Sequence, residues 1–148
     1  MRRLLPAFLA AALAAAGAAS AQSPAETLAQ FGLLGRWSRD CSQPSRIVPH
    51  VTFERVAGGT GAQYRMDYVA SSFVNPIDNV RVLTSSTIAL RILPGADEKD
   101  GVANDLVILR EGRRYRTISS VGGNGKVHIR DGILVARGEP SPWNDRCD

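Results

Sequence analysis

Residues 106–135 read LVILREGRRYRTISSVGGNGKVHIRDGILV. Leu106 and Ile108 alternate with Val107 and Leu109, which predicts a short strand apolar on both faces. Glu111-Gly112 turns the chain into a second strand from Arg114 to Ile118, and Gly122-Gly123-Asn124-Gly125 turns it again into Val127-His128-Ile129. Asp131-Gly132, a dipeptide that accepts the positive φ angles of a two-residue hairpin, then leads into Ile133-Leu134-Val135. Short runs of period-two alternation separated by glycine turns are the pattern of an all-β sandwich or barrel.

The same texture extends upstream. Ile88, Leu90 and Ile92 alternate after a turn at Thr84 to Ser86, and Val80 and Val82 predict a strand before it. Val51 and Phe53, the turn Ala57-Gly58-Gly59-Thr60-Gly61, and Tyr64, Met66 and Tyr68 read as a hairpin, with Arg65 and Asp67 on its wet side. Asn75-Pro76 predicts a break in the chain, Pro94-Gly95 opens a polar loop through Asp100-Gly101, and Pro140 and Pro142 predict an extended, irregular tail. Ser23-Pro24-Ala25-Glu26 has a capping-box pattern that starts a short helix, and Gly32 ends it. The fold class is therefore mainly β: about seven to eight short strands with a short N-terminal helix, paired in sequence order as an antiparallel meander. Such a meander closes into a small barrel or stays open as a sandwich. The barrel is favoured because closure removes exposed strand edges.

The beginning of the chain predicts its compartment. Arg2 and Arg3 precede an apolar run from Leu4 to Ala16, and Ala19-Ser20-Ala21 supplies small residues for cleavage after Ala21. The run is shorter than the roughly 20 residues that a membrane span needs. A signal peptide over residues 1–21 and one exported domain over 22–148 are expected, periplasmic or secreted, and not membrane-spanning after cleavage. The chain has 18 Lys and Arg against 14 Asp and Glu. Without Arg2 and Arg3 the exported part carries a net charge of only +2, which does not point to nucleic acid.

Cys41 and Cys147 are the only cysteines, and both lie in the exported part. In an oxidising compartment an even pair predicts a disulfide. Zinc would need further ligands, and neither His50 nor His128 has a ligand spacing from a cysteine. Trp37 and Trp143 each stand four residues before a cysteine. If both flanks are extended, each indole shares the face of its cysteine, and both should be buried near the bridge.

Chemical motifs are sparse. No Gly-x-Ser-x-Gly elbow is present. Asp97, Glu98 and Asp100 lack a calcium-loop pattern, and Gly122 to Gly125 lacks the lysine of a phosphate cradle. His50 and His128 read as structural or exposed. No catalytic, cofactor-binding or metal-binding residue is assigned, no cofactor is expected, and the chain is not expected to be an enzyme. Two groups stay open. Trp37, Trp143, Tyr64, Met66 and Tyr68 are candidate ligand-contacting or structural side chains. Arg114, Arg116 and Arg130, with Lys126 and His128, form either an anion-binding face or a solvated strand face, since guanidinium forks suit carboxylate and phosphate.

Gly35-Arg36-Trp37, at the opening of the first strand, resembles the Gly-x-Trp signature of lipocalin-like barrels. In that family the Trp plugs one end of the barrel behind a short N-terminal helix, and the preceding helix and late arginine-containing strands of this chain fit. Its other signatures are not visible. Trp37…Cys41 and Asp131-Gly132…Pro142-Trp143…Cys147 make the whole chain look more like small exported proteins of Gram-negative bacteria, a resemblance that bears on localisation and implies no activity. Two functions compete: a non-catalytic binding protein holding a small apolar ligand in a barrel, and an envelope interaction or inhibitor-like protein acting through its surface. A cavity lined by Tyr64, Met66 and Tyr68 would favour the first.

Overall fold

The computed structural model describes residues 22–98 and 101–147, so the expected signal peptide, Met1 to Ala21, lies outside the described residues. Helix α1 (Pro24–Phe31) starts as its sequence dictates. Ser23 Oγ accepts the Glu26 N–H at 3.3 Å, and the Ser23 N–H donates to the Glu26 carboxylate at 3.1 Å. Gly32, at φ 78°, ends the helix in the left-handed conformation that glycine adopts without penalty. Eight residues make too few turns to hold alone. The helix persists because Ala25, Leu28 and Phe31 bury their side chains with Leu33 against one end of the sheet.

Eleven strands follow among the described residues: β1 (Gly35–Ser38), β2 (His50–Arg55), β3 (Ala62–Tyr68), β4 (Ser71–Val82), β5 (Thr87–Ile92), β6 (Asn104–Glu111), β7 (Arg114–Gly122), β8 (Val127–Arg130), β9 (Ile133–Leu134), β10 (Glu139–Pro140) and β11 (Asn144–Cys147). β1 to β7 pair in sequence order, and β11 then inserts between β7 and β1. Eight strands thereby close an antiparallel barrel, the barrel alternative of the sequence reading. β8, β9 and β10 form a small flap hydrogen-bonded to the far half of β7. Asp131 and Gly132, at φ 51° and 76°, make the expected two-residue turn between β8 and β9.

The lower half of the barrel is solid. Trp37, Phe53, Ile88, Leu90, Ile108 and Tyr115 fill it. Tyr115 sits edge-on to both Trp37 (5.1 Å between centroids) and Phe53 (5.7 Å), a geometry that aromatic quadrupoles favour. Among the described residues no helix is long and apolar enough to cross a membrane.

Three expectations from the sequence are corrected. First, Asn75-Pro76 does not break the chain: β4 runs unbroken from Ser71 to Val82 and takes in Val80 and Val82 as well. A proline inside a sheet removes a ladder donor. Here the Leu93 N–H still donates to the Pro76 carbonyl at 2.8 Å, and Asn75 Nδ2 donates to the Leu93 carbonyl at 3.1 Å in place of the missing proline N–H. Second, the tail is not irregular to its end, because Asn144 to Cys147 is the strand that closes the barrel. Third, Trp37 and Cys41 do not share a face. β1 ends at Ser38, so Trp37 points inward, fully buried, while Cys41 lies in the exposed turn beyond. The disulfide itself is present, joining Cys41 to Cys147 with 5.4 Å between Cα atoms.

Candidate functional site

The two ends of the barrel differ in kind. At one end α1 forms a plug, tied to the β2–β3 turn by the Ala25 N–H donating to the Thr60 carbonyl at 3.4 Å. Behind it Trp37 donates its indole N–H to the Leu33 carbonyl at 2.9 Å. Arg146, paired with Trp37 across β1 and β11, lays its guanidinium 5.4 Å from the indole ring and donates to the Gly32 carbonyl at 3.3 Å. This approach explains the glycine of Gly35-Arg36-Trp37. A Cβ on Gly35 would stand 2.9 Å from Arg146 Nη2, and φ there is 128°.

The other end is hollow. A cavity of about 440 Å³ opens between β3, β4, β5, β6 and the flap. Tyr64, Met66, Phe73, Ile92 and Leu106 give it an apolar body, and Asn75, Asn104, Ser120 and His128 supply polar atoms. The size falls within the roughly 300–1,000 Å³ of small-molecule sites, and a mostly apolar lining with a few polar groups is their usual chemistry. Tyr64 stacks edge-on against Phe53 in the floor at 5.6 Å and directs its hydroxyl at Met66 Sδ, 3.7 Å away. Burial pushes the Tyr64 phenol up to about 12, so it stays a neutral donor at physiological pH. Burial also raises the Tyr115 phenol, beneath it, with the neighbouring Tyr64 adding to the effect.

The rim is apolar and braced. Tyr68, Val69, Phe73, Val102 and Ile47 are all substantially exposed. Val69 holds φ 58°, costly for a β-branched residue, and its N–H donates to the Ser45 carbonyl at 3.1 Å, which ties two rim loops together. On the opposite wall the Glu98 carboxylate receives the Gly95 N–H at 3.1 Å and Asn75 Nδ2 at 3.0 Å, fixing the loop after β5.

The structure thus sorts the residues singled out in the sequence. Tyr64 and Met66 line the cavity, whereas Tyr68 stands on the rim. Trp37 belongs to the solid floor. Trp143 lies half-buried on the outer wall, just before β11, with the guanidinium groups of Arg114 and Arg116 at 4.3 and 5.0 Å from its ring. Arg114 also pairs with Glu111 at 2.9 Å. Arg116 lies over the β8–β9 turn, 3.5 Å from where a Cβ of Gly132 would sit, and Arg130 is exposed just before that turn. His128 does not join this arginine face, because it lines the cavity instead. His50 is buried and bonded through Nε2 to the Gln43 carbonyl at 2.9 Å, a structural role. No group of three His, Cys, Asp or Glu side chains placed to hold a metal occurs among the described residues.

Phe73, Asn104 and Ser120 were not singled out in the sequence, and Leu106 was read there only as a strand residue. Phe73, Asn104 and Leu106 follow the plain period of β4 and β6, whereas the inward direction of Ser120 depends on a β-bulge. β7 carries an extra residue at Ile118, so its inward positions pass from Tyr115 and Thr117 to Ser120 and Gly122. Phe73 had one legible signal, a lone phenylalanine two residues before Asn75, but the expected break at Asn75-Pro76 concealed it.

Two of the other hollows among the described residues adjoin the barrel strands and the flap. One of about 340 Å³ lies on the outer face of β4 to β7, crossed by the Arg91–Asp105 pair at 3.8 Å. The other, about 510 Å³, lies between the flap and β1–β2, lined by Arg39, Val51, Leu134, Arg137 and Asn144, and it shares His128 with the barrel cavity. No family model, curated protein or solved structure matches the chain.

Proposed function

We propose that this protein is an exported, non-catalytic binding protein that holds a small apolar ligand in the open end of a lipocalin-like barrel. The observation that carries this reading is the 440 Å³ cavity itself, apolar in its body and set on an aromatic floor. The plug of Trp37 and Arg146 behind α1 supports the lipocalin-like part. The disulfide supports an oxidising compartment. Burying an apolar ligand of cavity size removes its surface from water at about 25 cal/mol per Å², the main source of affinity in such a site.

Native mass spectrometry of protein purified from the exported fraction tests this directly. A discrete adduct that organic extraction removes is expected. A bare polypeptide mass that stays unchanged after incubation with phenylnaphthylamine, an apolar fluorescent probe, overturns the reading.

A second reading, an envelope interaction protein acting through its surface, is favoured by the Arg114–Trp143–Arg116 stack on the outer wall. Arg116 meets no carboxylate within ion-pair distance among the described residues. Capture of a partner that Trp143→Ala abolishes, with the cavity empty, would support this reading over the first.

A further inference from the structure

We infer that the ligand is an amphiphile whose head, read by Asn104, Asn124 and His128 at the mouth of the cavity, is an uncharged hydrogen-bond donor such as a hydroxyl and not a carboxylate; this rests on the cavity being the ligand site. Three polar atoms converge over Gly122, which is buried at the end of β7. Asn124 Oδ1 lies 2.9 Å from where a Cβ of Gly122 would sit, and Asn104 Oδ1 and His128 Nε2 each lie 3.6 Å from it. No left-handed backbone requires glycine there, so its function is to leave room.

His128 reaches this place through a defect in the sheet. Val127 pairs with Val121, but Ile129 pairs with Ser120, so two residues of β8 are spanned by one step of β7 and His128 is the extra one. A bulge of this kind re-aims a side chain, and here it sets His128 between the two hollows at the open end.

The direction of the surrounding dipoles selects the head group. Asn124 Oδ1 accepts the Lys126 N–H at 3.0 Å, and Asn104 donates its Nδ2 to the Val102 carbonyl at 3.5 Å. Both amides therefore present oxygen to the space above Gly122. Among the described residues no lysine or arginine lines the barrel cavity, and Glu98 adds a carboxylate to its wall. Over Gly122 a carboxylate head would face two amide oxygens, with the His128 imidazole as the one donor among these three groups. A hydroxyl donates to one of those oxygens and shares its own oxygen with His128.

Displacement of phenylnaphthylamine from the full exported chain by decanol and by decanoate tests the inference, with His128→Leu and Asn104→Leu as variants. Decanol should displace the probe at a roughly tenfold lower concentration than decanoate, a preference of about 1.4 kcal/mol. Measured against each variant's own affinity for the probe, decanol and decanoate should displace it equally well, so that both variants lose the preference for decanol. An equal or better decanoate overturns the inference and points to Arg39 and Arg137, beyond His128, as readers of the head. Survival of the decanol preference in both variants also overturns it. Failure of the wild type to bind the probe overturns the cavity reading instead.

Discussion

Trp37→Ala is expected to remove about 3–5 kcal/mol of folding free energy, the usual loss when a large buried aromatic is cut to a methyl group. Trp37 is fully buried, and three separate interactions end with it. The edge contact with Tyr115 disappears, the Leu33 carbonyl loses its 2.9 Å donor, and the Arg146 guanidinium loses the ring it lies over. For a domain of this size the loss corresponds to a melting temperature lower by about 10–20 °C. Trp37→Phe keeps most of the volume but orphans the Leu33 carbonyl, so a smaller fall of about 1–3 kcal/mol is expected. Trp143→Ala should cost less than Trp37→Ala, because Trp143 is half-buried on the outer wall and trades mainly cation–π contacts with Arg114 and Arg116. Thermal unfolding followed by circular dichroism separates the three. Equal losses for Trp37→Ala and Trp143→Ala would contradict the assignment of Trp37 to the floor.

Replacing both cysteines by serine is expected to cost a further large share of stability. The bridge joins residues 106 apart in sequence. On the chain-entropy account, closing a loop of that length is worth about 4–5 kcal/mol, and native disulfides of small secreted domains typically contribute 2–5 kcal/mol. Net stability of such a domain is only about 5–15 kcal/mol. The location sharpens the expectation. β11 is four residues long and holds the barrel shut through short ladders to β1 and β7. Without the bond, β11 amides should exchange with solvent first, and urea unfolding should move to lower concentration with the double variant Cys41→Ser, Cys147→Ser. An unchanged midpoint would mean that the ladders alone hold the last strand.

What the sequence made legible and what it concealed divide along one physical line. Local rules were legible: the Ser23–Glu26 capping box, the Asp131-Gly132 turn, and the alternation of Ile88, Leu90 and Ile92 each depend on neighbours within a few residues. Rules set by distant partners were not. Pro76 stays in a strand because the Asn75 side chain supplies the donor it lacks, and only the position of Leu93 reveals that. β11 reads Asn-Asp-Arg-Cys, with no apolar alternation, and becomes a strand because β1 and β7 leave a gap of its width. Bulges at Ile118 and His128 reverse which residues face inward, which period-two reading cannot register. The candidate site was therefore half visible: Tyr64, Met66 and Asn104 follow the simple period, while Ser120 and His128 reach the cavity with help from these defects.

Met66 offers the most direct test of the central claim, that the open end of the barrel is a ligand site. It is the only methionine other than Met1, and its thioether lies in the cavity wall beside the Tyr64 hydroxyl. An isotope label on the methionine methyl therefore places a single reporter inside the proposed site. Titration with phenylnaphthylamine should move the Met66 methyl resonance in step with the rise in probe fluorescence, because the aromatic probe would sit against it. Saturating fluorescence with the Met66 resonance unmoved would place the probe elsewhere on the protein and contradict the account.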